Sequence, residues 1–356
     1  DRDYVGLWQG VPSIGDHGEI ALDDVWLEQA PSPLSIKTAL ALPSFRRQEV
    51  TLRTRIQNLA GQRGPAVLQF DFLRDGATTS FKKDVVLDGS AEQLLSFTAA
   101  WANPVLWNVE YPRVYDMTAT LTMADGAVAD KLGPQTFGFR ECWVEDGEIR
   151  INGQKARLRM WTSPGLNRLR YYYGHPEAID QYVAHIREMN YDSVRFDPIR
   201  KTSQVAWTDY LEACNRQGLY NLFPMPPYED EDLTIYRREV ERYLERYGNH
   251  PTIIMWYTDF NTCSYSWNQD PAKLNDTDYD PLNKRQPRQR ARTAEKVMRA
   301  LDGSRELFQH AGGNSGKIFT SMNYQSFGTP LQEQEDWPRQ WAEKHTQPLM
   351  VVESAF

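Results

Sequence analysis

Apolar and polar residues alternate with a period of two between residues 44 and 140. The alternation is clearest in three runs, at 50–56, 68–72 and 117–123. Asp-Gly pairs, which favour tight turns, lie near the ends of such runs, at 75–76, 88–89 and 125–126. Short strands with regular turns over about 100 residues are typical of two packed sheets, so this pattern predicts a β-sandwich of immunoglobulin type.

From about residue 155 onward, strand-like runs alternate with helix-like runs. Seven apolar runs predict strands, at 156–161, 193–196, 219–224, 252–257, 306–309, 318–323 and 349–353. Between several of them apolar residues recur at helical spacing, as in Ile179, Val183 and Ile186. Repeated strand–helix units predict a parallel sheet. They favour a (β/α)8 TIM barrel that lacks its last unit, although a doubly wound open sheet would give a similar pattern.

The change of period divides the chain into three parts, and the predicted fold class is multidomain. Residues 41–141 are the predicted immunoglobulin-like sandwich, and residues 142–356 are the predicted TIM-barrel domain, incomplete in this chain. Residues 1–40 contain too little apolar sequence for a separate domain, so we expect irregular β structure there. No G-x-G-x-x-G follows the first predicted strand, which disfavours a dinucleotide-binding form of the open sheet.

Composition narrows the classes of partner and cofactor. The 356 residues carry a formal net charge of −8 without a concentrated Lys/Arg block, which argues against nucleic acid or an anionic membrane surface as partner. No apolar run approaches the roughly 20 residues of a membrane span. Cys142, Cys214 and Cys263 are too few and too widely spaced for a zinc site or disulfide framework, so we expect buried thiols, no metal and no cofactor.

Polar residues are concentrated at the carboxyl ends of the predicted strands, where barrel enzymes carry their active sites. In chain order these are Trp161, Thr162, Arg195, Asp197, Tyr228, Glu229, Asp230, Asp259, Asn261, His310, Asn323, Tyr324 and Glu353. Glu353 ends a buried run, where a carboxylate loses hydration unless a group such as Arg195 pairs with it. A fixed, ionised carboxylate is what a glycosidase nucleophile requires. A structural glutamate is the alternative.

Six segments, taken in order, resemble motifs of glycoside hydrolase family 2, the group of β-galactosidases, β-glucuronidases and β-mannosidases. They are WANPVLW at 101–107, FGFR at 137–140, INGQK at 151–155, MNYDSVR at 189–195, NHPTIIMW at 249–256 and QPLMVVE at 347–353. Each motif alone is weak, whereas six in order at sensible spacing are specific. The resemblance covers most of the chain from about residue 40 onward.

The resemblance implies retaining hydrolysis of β-linked glycosides in oligo- or polysaccharides, with Glu353 as nucleophile. It implies that residues 1–40 are the tail of a sugar-binding jelly roll. The strand ends and the resemblance together suggest substrate contacts from Arg195, Asp197, Trp256, Asn261, His310, Asn323 and Tyr324. The chain stops three residues after Glu353. We therefore expect the remainder of a longer chain, or a partner subunit, to complete the barrel.

The sequence departs from the family pattern at the general acid. In the family, the fourth barrel strand leads to an Asn-Glu pair. Here Asn261 occupies the Glu position, or Thr262 does if one residue is inserted. Neither side chain can protonate a leaving group. Asp259 is the nearest candidate acid, and the alternatives are Asp197, Glu229, Glu333 and Glu335.

The sequence also fits two other hypotheses about function. The missing glutamate also fits a catalytically weak or inactive protein that binds carbohydrate without cleaving it. The other hypothesis, that the chain is an interaction module of a larger assembly, rests only on the abrupt end of the sequence and on its acidity.

Overall fold

Two structural modules follow one another along the chain, in the order that the change of period predicts. A computed structural model of the protein describes residues 33–162, 175–195, 207–226, 228, 232–258, 285–310, 312–313, 316–323, 330, 332, 336, 338–344 and 346–354. The first module is all β, and the second alternates strands with helices. Within the described segments, no helix is long and apolar enough to cross a membrane.

The first module contains seven antiparallel strands. They are β1 (Leu34–Ser44), β2 (Glu49–Asn58), β3 (Arg63–Arg74), β4 (Ala77–Asp88), β5 (Glu92–Ala100), β6 (Tyr115–Met123) and β7 (Val128–Phe137). One sheet has the order β1-β2-β5 and the other has the order β4-β3-β6-β7. Two antiparallel sheets with this connectivity form an immunoglobulin-like sandwich, as predicted.

Alternating burial explains why these residues form a sandwich. On β2, Val50, Leu52, Thr54 and Ile56 are fully buried, and the residues that alternate with them are only half-buried. The inner faces of both sheets enclose an aromatic centre, in which the ring of Phe72 lies 4.7 Å from that of Trp101. Ring contacts of this kind add to the stabilisation from removing aromatic surface from water.

The sandwich begins before the predicted boundary at residue 41. β1 pairs with β2 from Leu34, opposite Asn58, to Ser44, opposite Glu49. Leu34 and Ile36 lie in the same core as the buried face of β2. The register shifts between Ile36 and Thr38, and this irregularity interrupts the alternation by which a strand is detected in a sequence.

A short antiparallel meander connects the two modules. Its strands are β8 (Cys142–Glu145), β9 (Glu148–Ile151) and β10 (Gln154–Lys155). Asp146 and Gly147 form the first turn with φ of 52° and 72°, the left-handed conformation that such turns require. Cys142 in β8 is buried, as is Cys214 in the second module, which confirms the prediction for these two thiols. Cys263 lies outside the described residues.

The second module winds parallel strands in sequential order. The strands are β11 (Met160–Thr162), β12 (Ser193–Arg195), β13 (Tyr220–Pro224), β14 (Ile253–Thr258), β15 (Glu306–Gln309), β16 (Phe319–Asn323) and β17 (Leu349–Ser354). The helices are α1 (Pro176–Glu188), α2 (Trp207–Gln217), α3 (Leu233–Tyr247), α4 (Arg285–Leu301) and α5 (Arg339–Lys344). β11 to β15 form one sheet in that order, and β16 pairs with β17. A doubly wound sheet would reverse its order at a switch point, and the described strands do not.

Two apolar clusters lie on opposite sides of these strands. The helix-facing cluster joins Val194, Phe223, Ile253, Trp256 and Leu307 of the strands to buried residues of α1 to α4. The inner cluster joins strand residues of the other face to the meander. Its members include Trp107, Cys142, Ile149, Ile151, Tyr220, Leu222, Ile254, Met255, Tyr257, Phe308, Met350 and Val352.

Buried polar contacts tie the sandwich to the parallel sheet. Arg140, fully buried after β7, donates to the carbonyls of Pro251 at 2.9 Å, Ile253 at 2.6 Å and Ser304 at 3.1 Å. Asn249 bridges to the main chain of β1, since its side chain accepts from the Ala41 amide at 2.9 Å. These contacts set the amino ends of β14 and β15 against the sandwich and leave their carboxyl ends on the far side.

Candidate functional site

Three strand ends meet at one main-chain carbonyl. The carbonyl oxygen of Val352 in β17 accepts a hydrogen bond from Nε of Arg195, the last residue of β12, at 3.1 Å. The hydroxyl of Thr162, the last residue of β11, donates to the same oxygen at 3.4 Å. Because parallel strands carry their carboxyl ends to one edge, the polar residues after them collect on one side of the module.

Arg195 is a fully buried charged residue at this edge. Its side chain is inaccessible to solvent, although sequence reasoning placed it at an open site. A buried guanidinium requires acceptors, and the Val352 carbonyl is one. Sequence reasoning expects Arg195 to pair with the Glu353 carboxylate. The side chain of Glu353 lies outside the described part of the chain, so this pairing stays a prediction, and the described contact of Arg195 is to the peptide group immediately before Glu353.

Glu353 lies within β17, as predicted. Its backbone is opposite Met322, whereas Val351 is opposite Ser321, so the pairing shifts by one residue at Val352. Such a bulge interrupts the strict alternation of side chains between the two faces of the sheet and bends the strand. β14 has a comparable register shift opposite β13, and there two successive residues, Ile254 and Met255, both lie in the inner cluster.

His310 follows β15 and is fully buried. Its amide donates to the carbonyl of Thr258, the last residue of β14, at 3.4 Å. Its ring lies 6.4 Å from that of Tyr257, which stacks on Phe308 in the inner cluster at 5.3 Å. His310 is therefore on the same side of the sheet as the inner cluster and at its carboxyl edge.

The position of Trp256 contradicts its predicted role in substrate binding. The indole is fully buried in the helix-facing cluster, and its Nε1 donates to the Asp302 carboxylate at 2.8 Å. The Arg305 guanidinium lies 5.3 Å from the ring centroid. A sugar cannot reach a side chain packed between the sheet and its helices, so we assign Trp256 to the core and not to substrate binding.

Sequence reasoning missed the charged network around Trp256. Burial alone would raise the pKa of Asp302, but Arg305, together with donors from Ser304 and Trp256, lowers it below the ordinary value. Arg305 donates further to the carbonyls of Ile253, at 2.7 Å, and His250, at 3.1 Å. The signal in the sequence is the D-G-S-R run at 302–305, which resembles an ordinary turn and gives no sign of its burial.

Several predicted site residues lie outside the part of the chain that the structure describes. They are Asp259, Asp197, Asn261 and Tyr324, together with the alternative acids Glu229, Glu333 and Glu335. The backbone of Asn323 ends β16 opposite Ser354. Within the described part of the chain, no group of three His, Cys, Asp or Glu side chains could hold a metal ion.

Fold and site together define a class of protein: a sandwich followed by sequentially wound parallel strands, with a glutamate on the last of these strands. Residues 32–140 match the family model described as glycosyl hydrolases family 2. This segment is therefore similar to glycosyl hydrolase family 2, and the relatives described next are similar to a longer part of the chain.

Curated relatives and solved structures share long stretches with this chain. A β-galactosidase of Leuconostoc mesenteroides is 25% identical over 219 residues, which is 55% of this chain and 20% of the relative. A β-galactosidase of Psychromonas ingrahamii is 28% identical over 182 residues, 47% of this chain and 17% of the relative. The structure of a putative β-galactosidase from Bacteroides fragilis has a TM-score of 0.66 at 19% identity, covering 90% of this chain and 48% of that one. The chain thus spans about a fifth of the length of these curated relatives.

Proposed function

We propose that this chain carries part of the catalytic machinery of a retaining β-glycosidase, with Glu353 as the nucleophile. The observation that carries the proposal is the place of Glu353. It lies in the last parallel strand, next to the carbonyl on which Arg195 and Thr162 converge. The family-model match of residues 32–140 and the names of the curated relatives support the same class of reaction.

We infer further that the parallel strands belong to a TIM barrel. Sequential winding and an inner cluster shared by β13, β14, β15 and β17 are what a closed barrel requires. A side-chain bond continues across the break between β15 and β16, since Thr320 in β16 donates to the Gln309 carbonyl of β15.

The proposed reaction proceeds in two displacements. A carboxylate oxygen of Glu353 attacks the anomeric carbon while a carboxylic acid protonates the departing glycosidic oxygen, which gives a covalent glycosyl-enzyme and a free alcohol. The same acid, now a carboxylate, takes a proton from water as the water oxygen attacks that carbon and releases Glu353. Two inversions give net retention of configuration.

Asp259 is the proposed general acid. It directly follows Thr258, which ends β14 at the same edge as His310. Retaining enzymes hold their two carboxyl groups about 5–5.5 Å apart, which is the geometry that the two residues would have to meet. Asp197, Asn261, His310, Asn323 and Tyr324 are proposed to contact sugar hydroxyls.

The proposal is tested with aryl β-glycosides and the complete protein, starting with the galactoside because the curated relatives are named β-galactosidases. Proton NMR of the first product should show the β anomer. Glu353→Gln should remove turnover, whereas Glu343→Gln, a matched change on the exposed face of α5, should not. Undiminished turnover by Glu353→Gln would contradict the proposal.

A second candidate function is carbohydrate binding without hydrolysis. The observation in its favour is that neither Asn261 nor Thr262, which occupy the family's acid position, can donate the required proton. Activated aryl glycosides need little acid assistance, so they cannot separate the two functions alone. Hydrolysis of a natural disaccharide would exclude the second candidate.

We also propose that a further segment of the same, longer polypeptide completes the barrel. Among the described strands, β11 pairs only with β12, and β17 pairs only with β16. A cavity of about 400 Å³ lies between them, lined by apolar residues that include Leu158, Met160, Leu349 and Val351. The mass of the native polypeptide, compared with 41.2 kDa for this chain, tests the proposal: a larger mass is expected, and an equal mass would contradict it.

A further inference from the structure

We infer that the outer surface of α3 and α4 is a docking surface for an anionic polysaccharide chain. Exposed cations form one row along each helix, and we call them the two cationic rows. The row on α3 consists of Arg238, Arg242 and Arg246, and the row on α4 contains Arg292 and Lys296. The choice of a polysaccharide as the partner rests on the proposed function, whereas the charge of the surface is independent of it.

Helical spacing places the row on α3 opposite the buried face of that helix. The three arginines recur every four residues, so they lie on one side and extend over about 12 Å at 1.5 Å per residue. The other side packs into the helix-facing cluster through Tyr236, Val240, Leu244 and Tyr247. The row therefore faces away from the parallel sheet.

The row on α4 has the same relation to the core. Arg292 and Lys296 are exposed one turn apart, and Ala294 and Met298 are buried in the helix-facing cluster. Arginines also stand at positions 285 and 288, which helical spacing puts on the same side of α4. α3 and α4 follow adjacent strands of one parallel sheet and pack against each other, so the rows run side by side, with helix axes about 8–10 Å apart.

The acidic residues of the two helices do not neutralise these rows. α3 and α4 contain four glutamates, of which Glu239 is the exposed one. Glu245 binds Arg55 of the sandwich at 2.6 Å, and Glu295 binds Arg299 at 2.8 Å. Most of the negative charge of α3 and α4 is thus engaged at the edges of the surface.

The cations of the rows remain available to a partner. Among the described residues, no ion pair forms at Arg238, Arg242, Arg292 or Lys296. The chain as a whole carries a formal net charge of −8, so this surface has the opposite sign to the molecule. Clustered like charges attract a polyanion, and part of the free energy of such binding comes from the counterions that the polyanion releases.

The direction of the rows favours a polysaccharide over other polyanions. α3 and α4 follow β13 and β14 in the chain, so both helices begin on the side of the module at which the site is proposed. A polysaccharide with carboxylate or sulfate groups could lie along the rows and continue to a glycoside bound at that edge. Nucleic acid matches the charge of the rows but offers no substrate for a glycosidase.

The test measures binding of labelled polygalacturonate and of labelled dextran sulfate to the complete protein by fluorescence anisotropy at low salt. The double variants Arg238→Gln/Arg242→Gln and Arg292→Gln/Lys296→Gln should each raise Kd by about 3- to 10-fold, and the salt dependence of Kd should become shallower. Lys82→Gln/Lys83→Gln removes the same charge from exposed positions of β4 and should leave Kd within about twofold of wild type.

Binding of either polymer with this pattern supports the inference, and the polymer with the lower Kd identifies the anion. An unchanged Kd in both helix variants, or an equal loss in the β4 variant, would overturn it. Duplex DNA that binds more tightly than both polymers would overturn it as well, in favour of a nucleic-acid surface.

Turnover of an aryl β-glycoside separates this inference from the proposed function. The helix variants should turn over the small substrate at the wild-type rate, because the rows lie outside the proposed site. Polymer binding without any turnover by the wild type would contradict the proposed function alone. Turnover without polymer binding would contradict the docking surface alone.

Discussion

At the scale of single residues, two buried arginines in the described part of the chain, Arg140 and Arg195, bind main-chain carbonyls. Arg140 binds three carbonyls, and Arg195 binds that of Val352. Burial, with the neighbouring Arg305, lowers the pKa of Arg140 to about 9, which leaves the guanidinium protonated at neutral pH. Each such arginine fixes chain segments that are remote in sequence, so its removal acts on placement as much as on charge.

The first prediction concerns the proposed acid. In Asp259→Asn, hydrolysis of a natural disaccharide should fall by about 10²–10⁴-fold because the leaving oxygen is no longer protonated. Release of dinitrophenolate from an activated glycoside should fall much less, and added azide should yield the β-glycosyl azide. Asp209→Asn, a change at an exposed position of α2, is the matched control. If disaccharide hydrolysis persists in Asp259→Asn, the prediction is wrong, and the general acid is to be sought among Asp197, Glu229, Glu333 and Glu335.

The second prediction concerns Trp256. Trp256→Phe removes a hydrogen bond to the buried Asp302 carboxylate, so the free energy of unfolding should fall by about 1.5–3 kcal/mol with KM unchanged. Trp341→Phe is the control, because the Trp341 indole is half-buried and donates to the neutral carbonyl of Gln347. Urea denaturation and steady-state kinetics measure both effects. A raised KM with unaltered stability in Trp256→Phe would contradict the assignment to the core and indicate that Trp256 binds substrate.

At the scale of elements, the turn that leads into β14 carries a buried histidine. Burial, and then the charge of Arg305, lower the pKa of His250 to about 3. Glu212 lies 3.6 Å from Nδ1, but Nδ1 already contacts the Asn215 amide at 2.9 Å. The ring is therefore neutral in the folded protein.

The third prediction follows from this neutrality. Between pH 6.5 and about 3, the unfolded chain binds a proton at His250 that the folded chain does not. The stabilisation is complete above pH 6.5 and is lost as the pH falls toward 3, by up to about 4–5 kcal/mol.

Two variants measure this contribution by urea denaturation. The stability difference between wild type and His250→Gln should shrink as the pH falls. The same difference for His185→Gln, a change at an exposed position, should stay flat. Parallel stability curves for wild type and His250→Gln would contradict the prediction.

Most strands of the parallel sheet could be located from the sequence, because their apolar runs coincide with the residues that form hydrogen bonds to a neighbouring strand. The first strand of the parallel sheet is the exception, since the run at 156–161 predicted it and β11 covers Met160–Thr162. The Ala156 amide donates to Ile149 of the meander, and the Arg159 amide donates to the Asp192 side chain. These bonds hold the segment outside the ladder, and apolar periodicity carries no information about them.

The contacts of the site could be predicted only in part. Glu353 at the end of a buried strand was evident from the sequence. The Val352 carbonyl brings together Arg195, 157 residues away, and Thr162, 190 residues away. The partner of a side chain over such separations depends on strand order and on a bulge that alternation does not reveal.

At the scale of the whole molecule, the two modules form one continuous structure. Arg55 on β2 pairs with Glu245 on α3 at 2.6 Å, and Arg140 links the end of β7 to β14. The sandwich thereby supports the amino ends of the parallel strands. The carboxyl ends, where the site is proposed, lie on the opposite side of the parallel strands.

The fourth prediction tests this coupling. Arg140→Met leaves the carbonyls of Pro251, Ile253 and Ser304 without their donor, so we expect a loss of about 3–5 kcal/mol and separate unfolding transitions for the two modules. Arg237→Met, at an exposed ion pair with Glu241, should cost no more than about 1 kcal/mol. Calorimetry distinguishes the outcomes. A single, unshifted transition in Arg140→Met would show that the arginine does not couple the modules.

The most direct measurement for the central claim is mass spectrometry of the complete protein after reaction with 2,4-dinitrophenyl 2-deoxy-2-fluoro-β-glycosides of galacto, gluco, manno and glucurono configuration. A retaining mechanism predicts one equivalent of dinitrophenolate and one fluoroglycosyl group, attached to the Glu353 side chain in the digested protein. A label on another carboxylate, or turnover of the natural substrate with no adduct from any of the four sugars, would contradict the account.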